Sequence, residues 1–233
     1  MNSVIFKRIA LWALALSFSC ISVFASDSVS DIEKEHNVFG EVDFYFEYSP
    51  LKNLTLFLGE EFYLNGTGNP EAPIVDMSYT SLCLNYKPHA RVSLIGAYEF
   101  QYLYENEIRH RLKLMVTPNL KINDYLTISL RERLHMTYSA ADMSYDWLLR
   151  SRLRLDGAIP NTPLYAYAYV EMYSPLQKNP TTYVESIAYG AGLDWVVDDN
   201  NILGFYYEFS HSIDAYYHLL GVAYVLQFQS YEK

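Results

Sequence analysis

Three short segments concentrate the basic residues of this 233-residue chain: Arg109, Arg111 and Lys113; Arg131 and Arg133; Arg150, Arg152 and Arg154. Within each segment the cations stand two positions apart, the spacing that puts side chains on one face of an extended strand. Leu112 and Leu114, Leu130, and Leu149, Leu153 and Leu155 take alternate positions, so the opposite face is largely aliphatic. Acids hold the matching positions of other segments: Glu41, Asp43 and Glu47; Glu61; Glu99; Glu171; Asp194; Glu208. A guanidinium keeps its proton at any ordinary pH, so rows of arginine do not point to acid–base catalysis. They can bind carboxylates through their planar fork, or set up a field that selects solutes by charge.

A catalytic arrangement would need other residues, and the candidates are His110, Glu132 and Ser151. If the chain turns at Pro118-Asn119, Leu112 falls opposite Leu130, Leu114 opposite Ile128 and His110 opposite Glu132. A His–carboxylate pair is the base half of an acyl hydrolase. The order fails, however: Ser151 lies beyond Glu132 rather than beside His110, where a nucleophile would have to stand. The outward side chains of the neighbour on the histidine's side, Tyr98, Phe100 and Tyr102, include no serine. No catalytic residue is therefore expected, and an outer-leaflet lipid-modifying enzyme of the acyl hydrolase type is the alternative reading. His135, His211 and His218 have no metal-ligand spacing, and no cofactor signature occurs. Gly190-Ala-Gly192 marks tight curvature or close approach, since no helix follows it to make a phosphate loop. Asn53-Leu-Thr and Asn65-Gly-Thr match glycosylation acceptors only at the level of chance.

What positions these residues is a period of two that runs through almost the whole chain. In Glu41-Val42-Asp43-Phe44-Tyr45-Phe46-Glu47-Tyr48 the even positions are apolar and the odd ones mostly charged, which describes a two-faced strand. The pattern predicts strands near 41–48, 54–64, 76–86, 91–104, 107–117, 124–137, 146–156, 163–173, 184–196, 202–210 and 216–228. Turn formers separate them. Short connections at Pro50–Asn53, Lys87–Ala90, around Pro118 and Asn119, Ala158–Pro163 and Asp198–Asn201 alternate with generally longer or more polar ones at Asn65–Val75, Tyr138–Tyr145, Ser174–Thr182 and Ser210–Ala215. Tyr104–Glu107 is the short exception. Alternating segments of about ten residues, joined by short and long connections in turn, are the signature of a transmembrane β-barrel. An odd number of strands cannot close a wholly antiparallel barrel. Ten or twelve are therefore expected, twelve if a further strand hides in 28–40.

The beginning of the chain predicts export. Lys7 and Arg8 precede a charge-free apolar run from Ile9 to Phe24, and Val23-Phe24-Ala25 ends it on a small residue. That is the form of a cleaved signal peptide, residues 1–25. The run is too short to span a bilayer as a helix, and Ser17 disfavours a lipoprotein anchor at Cys20. Without the leader, 15 Lys+Arg face 27 Asp+Glu, a net of −12. Such an acidic chain is a poor nucleic-acid binder. Cys83 is then left without a partner, so no disulfide is expected. Residues 26–39 read as a polar segment and 40–233 as the barrel. The composition is Tyr-rich, with all 23 tyrosines after the leader. Tyrosine suits both strands and the lipid–water boundary.

Lipid tolerates little charge, so the aliphatic face points outward and the charged face inward. The lumen network then comprises Arg109, Arg111, Lys113, Arg131, Arg133, Arg150, Arg152 and Arg154 with Glu61, Glu99, Glu171 and Glu208. Eight cations on three adjacent strands call for carboxylates facing them across the lumen. On that arrangement, removing Arg152 would strand a buried carboxylate. Arg–Glu bridges would seal the interior into a polar plug, or opposed walls would line a narrow selective pore.

The order Arg-His-Arg-Leu at 109–112, Leu-Arg-Glu-Arg-Leu-His at 130–135 and Leu-Arg-Ser-Arg-Leu-Arg-Leu at 149–155, then Pro163-Leu164-Tyr165 with Glu171, resembles a family of Gram-negative outer-membrane barrels known only as a domain of unknown function. The likeness spans about residues 40–228. It implies fold and location and brings no activity. The closing run His218 to Phe228 ends in an aromatic, as barrel precursors do for recognition by their assembly machinery. The expectation is an all-β, closed, antiparallel up-and-down, porin-like barrel, multi-pass in the outer membrane, with structural or narrow-channel function. Outer-membrane lipid and the barrel-assembly machinery are the expected partners, and the solute stays open.

Overall fold

The structure, a computed structural model, describes residues 35–65, 74–104, 107–176, 184–212 and 215–230. The leader expected at 1–25 and most of the polar segment after it lie outside those residues. Among the described residues the chain forms eleven strands: Glu35–Leu51 (β1), Leu54–Asn65 (β2), Val75–His89 (β3), Val92–Leu103 (β4), Glu107–Lys121 (β5), Leu126–Ser139 (β6), Ser144–Ala158 (β7), Leu164–Pro175 (β8), Ser186–Val196 (β9), Asn201–Ser212 (β10) and Ala215–Gln229 (β11). They close into one all-β, up-and-down barrel in which each strand pairs with its neighbours in sequence.

The expected strand number of ten or twelve is corrected to eleven. The closing pair β1–β11 is parallel, in unbroken register from Glu35↔Ala215 to Ser49↔Gln229, while the other ten pairs are antiparallel. A parallel seam removes the parity objection, because only an all-antiparallel ring needs an even count. Residues 35–40 join β1 instead of forming a strand of their own.

The prolines are the second correction. Pro50, Pro88 and Pro118 lie inside β1, β3 and β5 near their last residues, and the turns follow them at 52–53, 90–91 and 122–125. Proline has no N–H to donate, so it is accepted at strand ends where a ladder bond is dispensable. The β1–β2 and β3–β4 registers shift at Tyr48/Leu51 and Tyr86/His89, around the first two of them. The connection expected at 138–145, in the longer or more polar set, narrows to a four-residue turn at 140–143, with Met143 at a φ of 52°. At the 197–200 turn, the Asp198 carboxylate accepts the backbone N–H groups of Asn200 and Asn201, which hold its pKa below the ordinary range.

The two faces follow the parity of the sequence. Leu58, Leu82, Leu114 and Leu220 are 52–65 % exposed on the outside, whereas Glu99 and Glu171 on the inside are 0 % exposed. Exposed aromatics stand near both ends of the wall, Tyr102, Tyr145, Tyr189 and Tyr217 at one and Tyr48, Tyr86, Tyr165, Trp195 and Phe228 at the other, with Phe44, Tyr98, Phe205 and Tyr207 between them. An apolar band between aromatic girdles is the exterior of a transmembrane barrel.

The seam yields a direct test. Val42 and Val222 are partners across it, and neighbouring strands lie within the Cα separation a disulfide spans. With Cys83→Ser as background, Val42→Cys/Val222→Cys should oxidise to a crosslinked barrel with altered mobility on non-reducing gels. Failure to crosslink in folded, heat-modifiable protein would mean that another strand separates β1 from β11.

Candidate functional site

The lumen holds the charged residues, and the registers decide which of them meet. Arg111 stands opposite Glu99 on β4, and Arg152 opposite Glu171 on β8. Between β6 and β7, however, Arg131 faces Arg152 and Arg133 faces Arg150. Like charges directly opposite on neighbouring strands repel. Glu171 relieves that repulsion: its carboxylate lies 2.5 Å from both Arg150 and Arg152, 3.4 Å from Arg133 and 3.8 Å from Arg131. One wholly buried carboxylate thus serves four guanidinium groups. Glu99 plays the same part for β5, bound by Arg111 at 3.0 Å, by Lys113 and by the Gln101 amide.

These bridges are lateral. Carboxylates were expected to meet the arginines across the lumen; instead the principal pairs join adjacent strands, because a cross-strand neighbour is closer than the far wall. The outer members of the network are tied locally. Arg109 binds Glu107 on its own strand at 2.6 Å, and Arg154 binds Asp156 at 2.7 Å with Asp194 at 4.0 Å. Glu208 accepts the Tyr169 hydroxyl and lies 3.9 Å from Arg152. Glu61 accepts the Tyr45 hydroxyl at 2.8 Å and forms no ion pair among the described residues. The expectation that loss of Arg152 strands a carboxylate is also corrected, since Arg150 still holds Glu171.

A tyrosine layer supports the arginines. The guanidiniums of Arg150, Arg152 and Arg154 lie over the rings of Tyr173, Tyr169 and Tyr167 at 4.2, 3.8 and 3.8 Å from the ring centroids. Cation–π contacts of this kind are worth about 0.5–2 kcal/mol each, more as water is excluded. Tyr169 and Tyr167 lie flat over Gly190 and Gly192 on β9, where a Cβ would overlap their rings. That accounts for the Gly190-Ala-Gly192 spacing as close approach. The tyrosines share the inward parity of Glu171, which is the signal by which sequence could have found them.

On the other side of the lumen stand Glu41, Asp43 and Glu61, backed by tyrosines. Tyr206 donates to Asp43 at 2.9 Å. A cavity of about 570 Å³ separates this group from the arginine wall and is lined by both.

The lipid-facing candidates do not assemble. The β5–β6 register sets Leu112 opposite Met136, His110 opposite Tyr138 and Val116 opposite Glu132. The expected register is wrong by six residues, because the turn comes after Lys121 and not at Pro118. An even slip keeps every side chain on its face while changing all its partners. His110 binds the Tyr98 hydroxyl at 2.7 Å, and Ser151 donates to Glu132 at 2.6 Å. No Ser–His–carboxylate relay forms from these residues.

The chain belongs to the family described as protein of unknown function (DUF2490), which matches residues 75–214. No curated protein matches it in sequence. Among solved structures it is similar to the NanC porin, at 11% identity and a TM-score of 0.53 over 77% of this chain and 89% of that one. It is also similar to the KdgM porin in complex with disordered oligogalacturonate, at 13% identity and a TM-score of 0.46 over 72% and 82%. At 11% identity the likeness to the NanC porin is one of fold, a porin-like β-barrel.

The lateral network predicts an asymmetry in stability. Glu171→Gln leaves four guanidiniums facing one another and should cost about 3–5 kcal/mol, the range for breaking a buried ion pair. Arg131→Gln removes the most distant of the four and should cost less than about 1 kcal/mol or stabilise. Unfolding titrations in detergent compare the two, and equal losses would contradict the arrangement.

Proposed function

We propose that this member of the DUF2490 family is an outer-membrane channel, narrow and electrically polarised, for small hydrophilic solutes. The observation that carries the reading is the cavity of about 570 Å³ with arginines on one wall and tyrosine-backed carboxylates on the other. A sealed plug would need bridges spanning the lumen, and the principal bridges run along the wall. The acidic and basic groups leave a transverse field in a confined space, which orders and selects polar solutes. The porin-like fold, the apolar exterior and the aromatic girdles support insertion in the membrane. The lipid-modifying alternative loses its main support with the His110–Glu132 pair.

The test is electrical. Purified barrel in planar bilayers should pass small, discrete currents with weak selectivity in potassium chloride, since charges of both signs line the cavity. Arg131→Gln/Arg133→Gln should move the reversal potential toward cation selectivity. Absence of current from correctly folded barrel would remove the channel reading.

A further inference from the structure

The two walls of the lumen are each incompletely satisfied, and in opposite senses. On the basic wall, Arg131, Arg133, Arg150 and Arg152 surround the single carboxylate of Glu171. The Nε atom of all four arginines is buried and without an acceptor. Arg133 itself is only 9 % exposed. Positive charge and N–H donors are therefore in excess where little water reaches them, a costly state unless an anion completes it.

On the acidic wall the deficit is a cation. The partners of Asp43 and Glu61 are tyrosine hydroxyls, from Tyr206 and Tyr45. No lysine or arginine forms an ion pair with Glu41, Asp43 or Glu61 among the described residues. The Oδ1 atom of Asp43 is buried with no donor, and the residue is 5 % exposed. Hydroxyls relieve part of the desolvation of these carboxylates and none of their mutual repulsion.

Both deficits border one cavity of about 570 Å³, a size suited to small-molecule sites. An anion alone would complete the basic wall and leave the acidic one as it is; a cation alone would do the reverse. A solute with a carboxylate at one end and an ammonium at the other completes both. We infer that the cavity is a binding subsite for small zwitterionic solutes, the carboxylate held by Arg131, Arg133, Arg150 and Arg152 and the ammonium by Glu41, Asp43 and Glu61. The inference rests on the channel reading of the lumen and names its solute class.

The test uses four probes of similar size: glycylglycine, which carries both charges, N-acetylglycine as the anion, glycinamide as the cation and N-acetylglycinamide as the neutral form. Calorimetric titration of the purified barrel in detergent micelles should show glycylglycine binding at least tenfold more tightly than either singly charged probe, with the neutral one weakest. Arg131→Gln keeps Glu171 bound by the other arginines, and Asp43→Asn keeps a carbonyl for Tyr206. Each should abolish the tenfold preference while heat-dependent gel mobility stays that of the folded barrel. The wild-type series decides the matter even where a variant fails to fold. Equal binding of N-acetylglycine and glycylglycine, or no binding of glycylglycine, overturns the inference. Current in bilayers without zwitterion preference overturns the subsite and leaves the channel. Preferential glycylglycine binding by a barrel that passes no current supports the subsite and overturns the channel.

Discussion

In a bilayer no water is available to an unpaired backbone N–H or C=O, so a membrane-spanning sheet must close on itself. Every other feature of this protein depends on that closure. Eleven strands can satisfy it only if one neighbouring pair is parallel, and the pair is β1–β11, held over fifteen successive partners. Parallel ladders are slightly less stable per residue than antiparallel ones. The seam compensates by length and by aromatic contact across it, with the rings of Phe46 and Phe228 at 5.7 Å.

Closure also fixes how charge is accommodated inside. The β6–β7 register brings Arg131 against Arg152 and Arg133 against Arg150, an unfavourable arrangement that is stable because Glu171 projects from β8 into their midst. The network is accordingly uneven, with one acid shared among four bases. The tyrosines of β8 lie beneath the arginines and flat against the glycines of β9, so bulk stays on the wall and the lumen keeps its cavity. The acidic wall is built alike, with Tyr206 lying over Gly221 to reach Asp43.

Among the described residues the exterior includes two carboxylates that a neighbouring strand's hydroxyl meets. Glu132 accepts a hydrogen bond from Ser151, and Glu60 accepts one from Thr80 at 2.7 Å. In both cases a hydroxyl on the adjacent strand supplies the donor. Charges on a lipid-facing wall are costly in a depth-dependent way, and a neighbouring hydroxyl is the smallest group that moderates the penalty.

Sequence alone determined the class of the fold, the face on which each strand residue lies and the location of most turns, because a period of two is a local property of the backbone. It placed Arg111, Lys113, Arg133, Arg152, Glu99 and Glu171 inside the lumen for that reason. It could not determine partners. A slip of two, four or six residues preserves the alternation, so His110 and Glu132 could be set opposite each other on paper while the turn after Lys121 keeps them apart. Nor could alternation reveal the sense of the closing pair, since β1 and β11 meet only when the whole ring forms. Whether the arginines find carboxylates across the lumen or beside them was likewise decided by the closed sheet. Its registers bring Glu99 and Glu171 next to the cations and leave Glu41, Asp43 and Glu61 on the far wall.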